Sequence, residues 1–69
     1  MTKYFHIVQV HPVYDGIVQT HKVRQEYEFD IKGKADYFIE LYEIMVKTAY
    51  LDEKAVYLGC VNDETGELV

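Results

Sequence analysis

Sixty-nine residues, a net charge of −5 and a single cysteine bound what this chain can be. They leave room for one domain, exclude an intrachain disulfide and, with Lys and Arg scarce, disfavour a direct grip on nucleic acid, whose phosphates call for clustered basic side chains. A core of this size rarely supplies more than about 3–5 kcal/mol, so a chain without disulfides or a metal motif is expected to lean on oligomerisation or a partner.

The opening, MTKYFHIVQV, carries one lysine and a short apolar run broken by His6 and Gln9, with no small-residue cleavage site behind it. That is unlike a secretory signal, and no stretch reaches the ~18 apolar residues of a membrane span. The expectation is a soluble cytoplasmic protein with no membrane association and no cofactor. Thr2 to Val10, rich in β-branched and aromatic residues, reads as a first strand with apolar residues on both faces, as in the middle of a sheet. His11 to Val18 turns the chain. Asp15-Gly16 is a strong two-residue hairpin signal, because both central positions of such a loop want positive φ. Pro12 cannot donate to a ladder and marks an edge or a bulge. Without a bulge Val8 faces Val23, Val10 faces His21 and Tyr4 faces Tyr27; a one-residue slip at Pro12 would exchange the faces, and the pattern leaves both open.

Gln19 to Ile31 alternates cleanly: Val23, Tyr27, Phe29 and Ile31 point one way, Lys22, Arg24, Glu26, Glu28 and Asp30 the other. This predicts a strand of an antiparallel sheet with an apolar face and a charged one. Lys32-Gly33-Lys34 reads as a loop and Asp36 as the N-cap of a helix over Asp36–Leu51. At 100° per residue Asp36, Glu40, Glu43, Lys47 and Tyr50 form one narrow stripe, and the remaining apolar arc is about twice the ~100° that one sheet covers. Phe38, Leu41, Met45 and Ala49 are expected to face the sheet. Ile39, Tyr42 and Val46 on one shoulder, and Tyr37 and Ile44 on the other, are left over. Ala55–Val61 reads as a third strand with Gly59 at a bulge or a close approach by another backbone. Asn62–Gly66 then turns, and Glu67–Val69 frays or returns as a short fourth strand. The expected class is α+β: one small domain, an antiparallel sheet of three strands (four with the last return) in the order ββαβ(β), and one helix on one face.

Chemistry is thinly signposted. His6, His11 and His21 lie within the first hairpin without an Asp or Cys to complete a metal set, and Cys60 has no base beside it in sequence. No GxGxxG, GxxxxGK[ST], HExxH or CxxC occurs. The expectation is no enzyme, no metal and no catalytic residue. What stands out is charge and aromaticity. Residues 1–35 hold five basic against four acidic side chains, net +1, whereas residues 36–69 hold two against eight, net −6. The chain has seven tyrosines, and Tyr37, Tyr42 and Tyr50 on the helix, mixed with Glu40, Glu43, Asp52 and Glu53, make an acidic, aromatic surface suited to binding. The candidate partner-binding residues are Asp36, Ile39, Glu40, Tyr42, Glu43, Val46, Tyr50, Asp52 and Glu53. The expected partner is a larger, basic protein whose nucleic-acid-binding surface carboxylates on a helix could occupy in place of phosphates. In size and charge alone the chain is broadly similar to small acidic proteins of phages and mobile elements, among them inhibitors of host enzymes and of CRISPR systems. The other expectation is a homodimeric structural or regulatory subunit that buries the spare apolar arc against its own copy.

Overall fold

The computed structural model describes residues 3–68; Thr2 of the expected first strand and Val69 of the expected last one lie outside them. The order is β1 (Tyr4–Tyr14), β2 (Ile17–Val18), β3 (Gln25–Phe29), α1 (Lys32–Ala49) and β4 (Glu53–Asn62), with every strand pairing antiparallel. This is the expected α+β class, but the long second strand of the sequence reading is two strands, β2 and β3, with a loop between them. Strand β1 is the spine. Strand β4 runs along one of its edges, and β3 and then β2 occupy the other.

The hairpin closes at Asp15 and Gly16, with φ of 52° and 75°, so that Tyr14 pairs with Ile17 and Val13 with Val18. Farther from the turn the pairing changes: Val10 faces Gln25, Val8 faces Tyr27 and His6 faces Phe29. The register has moved by four residues, not by one. Four is even, so the faces are kept, and Tyr27 and Phe29 still point to the side of Val8 and Val10. Pro12 explains the location. Its carbonyl accepts from the Gln19 amide at 2.8 Å, but it has no N–H to return the bond, and the chain leaves the ladder there until the Arg24 amide reaches the Val10 carbonyl at 2.8 Å. The excursion folds over the other face of the sheet and covers His11, which is 4% exposed and donates from Nδ1 to the Lys22 carbonyl at 2.6 Å. Val23, expected in the core, is exposed as a result.

A second irregularity lies on β4. The β1–β4 pairing shifts between Ile7, opposite Gly59, and Val8, opposite Tyr57, leaving Leu58 as the extra residue. Gly59 has φ of 150°, and the Leu68 Cδ2 methyl lies 2.8 Å from where a Cβ on it would be; the expected bulge is present, and what approaches the glycine is a side chain, not a backbone. Leu68 reaches this position on a short return, through an isolated bridge to Val61 and a bond from the Asn62 amide to the Glu67 carbonyl at 2.9 Å.

Helix α1 begins at Lys32, so Lys32-Gly33-Lys34 is its first turn and Asp36 is not its cap. The capping position is Ile31, which offers no side-chain acceptor. Two lysines in a first turn oppose the helix dipole, and each is held by a carboxylate: Lys32 by Asp36 at 3.1 Å and Lys34 by Asp30 at 3.1 Å. The Lys34 contact also holds the Asp30 carboxyl below its ordinary range. The far end closes without glycine: Tyr50 takes the left-handed conformation, φ 54°, and its amide bonds back to the Val46 carbonyl.

The core is small. Val8, Val10, Ala35 and Ala55 are buried together, ringed by Tyr27, Phe29, Phe38, Ile39, Tyr42 and Tyr57. Phe38 is the hub, with its ring centroid 4.7 Å from Tyr27, 5.4 Å from Phe29 and 5.7 Å from Tyr42. The inner line of the helix is therefore Ala35, Phe38, Ile39 and Tyr42. Of the line expected inside, only Phe38 is there; Leu41, Met45 and Ala49 are exposed. The helix is turned by about 70° from the orientation that sets its charged stripe opposite the sheet, counting 100° per residue.

Candidate functional site

This rotation redistributes the nine candidate residues. Asp36, Glu40, Glu43, Tyr50 and Asp52 are exposed, Tyr50 at 92%. Ile39, Tyr42 and Val46, expected on a free shoulder, are half-buried on the side of α1 that faces the sheet. Glu53 stands at the start of β4 in a polar node. The Tyr42 hydroxyl donates to its Oε1 at 2.7 Å, and Arg24 Nη1 donates to its Oε2 at 2.7 Å. The node ties helix, β4 and the end of the Gln19–Arg24 excursion together. Those two donors hold the Glu53 carboxyl below its ordinary range. Burial, reinforced by the neighbouring carboxylate, pushes the Tyr42 hydroxyl up to about 12. These are the signs of a structural clamp, and Tyr42 and Glu53 are occupied by each other.

What remains free on α1 falls into two adjacent arcs. The first is acidic: Asp36, Glu40 and Glu43, with Lys47 among them, run along one flank. Asp36 is engaged with Lys32, whereas Glu40 and Glu43 make no ion pair among the described residues. The second arc is apolar: Tyr37 is 62% exposed, Leu41 48%, Ile44 60% and Met45 43%. Sequence reasoning divided these four between the inner line and a spare shoulder. The signal that could have joined them is the spacing Tyr37, Leu41, Ile44, Thr48, a second seam at i, i+4, i+7 and i+11.

Elsewhere the geometry brings together groups that are far apart in sequence. His6 lies opposite Cys60 across the β1–β4 pair and shares a 2.9 Å hydrogen bond between its Nδ1 and the Tyr57 hydroxyl, with Lys32 Nζ 5.2 Å from the centre of the Tyr57 ring. His11 is occupied by Lys22, and His21 is exposed in the excursion. Among the described residues no three His, Cys, Asp or Glu side chains gather as metal ligands. A cleft of about 380 Å³ opens between the hairpin tip and the C-terminal half of the helix, lined by Val13, Val18, Glu43, Val46, Lys47 and Lys54 among others. Its volume is in the small-molecule range, but its two lysines and its carboxylates do not converge on a nucleophile or a metal. No helix among the described residues is long and apolar enough to cross a membrane. No protein family, curated protein or solved structure matches this chain.

Proposed function

We propose that this protein works by binding another protein, through the acidic flank of α1, and that its partner is larger and basic. The observation that carries this reading is the alignment of Asp36, Glu40 and Glu43 on one exposed flank, within a half of the chain that is net −6. Seven residues of helix place these carboxylates over about 10 Å at 1.5 Å per residue, a spacing on which a row of Lys or Arg side chains can close. A surface that receives nucleic acid offers such a row, and occupying it would exclude the phosphates. The activity that follows is inhibition by competition. In its finer form it is the role that phage- and mobile-element-encoded inhibitors perform on host nucleic-acid-binding or defence proteins such as CRISPR effectors, in the cytoplasm and without catalysis or cofactor.

The test is capture of partners from the source cells by the tagged protein, compared with a variant carrying Asp36→Asn and Glu43→Gln. The expected result is a captured protein with a basic nucleic-acid-binding surface, released by excess duplex and by salt, and bound at least about tenfold more weakly by the variant. Capture that neither the variant nor salt weakens contradicts the reading.

A further inference from the structure

We propose that the apolar arc of α1 is the seam of a two-fold dimer, in which the helices of two copies pack antiparallel between their sheets. Tyr37, Leu41, Ile44 and Thr48 follow the alternating four- and three-residue spacing of a helix–helix seam. Ile39, Tyr42 and Val46, on the other side of the helix, already face the chain's own sheet, so the seam points away from the sheet and is open to a second helix. The occupant follows from the charges that border the seam. Glu40 and Lys47 stand on the same flank, one residue before Leu41 and one before Thr48, and neither makes an ion pair among the described residues.

An antiparallel pairing centred between Leu41 and Ile44 sets Leu41 against the partner's Ile44 and Tyr37 against the partner's Thr48. The same pairing brings Glu40 opposite the partner's Lys47 and, by symmetry, Lys47 opposite the partner's Glu40. A parallel pairing would set Glu40 beside the partner's Met45 and leave both charges without a mate. The flank is thus complementary to itself in one orientation only.

Surface area points the same way. The chain exposes 5118 Å², against about 4500 Å² for a compact monomer of this mass. The excess of about 600 Å² is close to what one partner contributes to a small stable interface. The dimer shares with the proposed function the premise that the exposed arcs of α1 are interfaces, and it shares Glu40, which pairs with the partner's Lys47 in the dimer and leaves Asp36 and Glu43 of each copy to the basic protein. The two uses are compatible, because antiparallel pairing brings the acidic flanks of both copies to one side of the helix pair.

Sedimentation equilibrium at tens of micromolar tests the proposal. Wild type should have twice the mass of one chain. Leu41→Asp should be monomeric with an unchanged far-ultraviolet circular dichroism spectrum, since Leu41 is half exposed in the monomer. Glu40→Lys and Lys47→Glu should each weaken the dimer on the order of tenfold, and the double variant E40K/K47E should restore it. A monomeric wild type, a dimer untouched by Leu41→Asp, or a double swap no tighter than either single variant overturns the proposal. Should Leu41→Asp fail to fold, the charge swap decides alone. The Asp36→Asn/Glu43→Gln variant keeps the dimer while losing the basic partner, so failure of either claim is seen separately.

Discussion

The two faces of α1 are both apolar, yet they are built differently. The inner face has one alanine, Ala35, pressed into the buried cluster, and two rings that are fully engaged: Tyr42 gives its hydroxyl to Glu53, and Phe38, which has no polar tip, is walled by three other rings. The outer face has Leu41, Ile44 and Met45, which have no polar tip, beside Tyr37, with 43–62% of their surface in water. A face that belongs to the monomer's core carries its own hydrogen-bonding solution. A face waiting for a partner carries shape alone, with its charges set at the rim.

The sharpest break between the faces is Phe38→Ala against Leu41→Ala. Phe38→Ala should cost about 3 kcal/mol by chemical denaturation, because the hub of the aromatic cluster leaves a cavity. Leu41→Ala, measured at concentrations too low for association, should cost less than about 1 kcal/mol. Comparable losses at the two sites would mean that the faces are not distinct. Next in size is Gly59→Ala, which should destabilise by about 2 kcal/mol through its positive φ, since the Leu68 methyl in the way ends an exposed side chain that can turn aside. A double variant that also shortens Leu68 to Ala should therefore recover little of the loss.

The polar node makes a smaller, pH-dependent signature of the inner face. Glu53 is held below its ordinary range, so its contribution is complete above the unfolded carboxylate pKa and is lost as pH falls through the lower folded value. Tyr42 is raised to about 12, so its contribution is complete below the unfolded tyrosine pKa and is lost as pH rises through the folded one. Urea midpoints followed with pH should therefore fall at both ends. Tyr42→Phe should flatten the alkaline limb, and Glu53→Gln the acid one. A profile that neither variant changes would remove the node from the account.

The class, the Asp15-Gly16 turn, the Gly59 bulge and the alternation that puts Tyr27 and Phe29 inside were legible because each rests on local chemistry. The orientation of α1 was not. Facing the sheet with the side opposite the acidic stripe is the natural choice when the wide apolar arc is centred on the sheet and its excess is divided between two shoulders. Here two apolar surfaces exist, and Ala35, too small to weigh in a hydrophobic pattern, selects between them by allowing the helix to approach Val8, Val10 and Ala55. Charge patterning also misled at the helix start, where two lysines are tolerated because Asp36 and Asp30 hold them. The excursion between β2 and β3 was hidden for another reason: Gln19–Arg24 keeps the alternation of a strand, and only the missing N–H of Pro12 on the neighbouring strand tells where the ladder ends.

The division of α1 into a private and a shared face is read most directly by dilution. In nuclear magnetic resonance spectra recorded from hundreds of micromolar down to a few micromolar, signals of Tyr37, Leu41, Ile44 and Met45 should move with concentration, while those of Phe38, Ile39 and Tyr42 stay in place. Outer-face signals that do not move, or inner-face signals that move as far, would contradict the account.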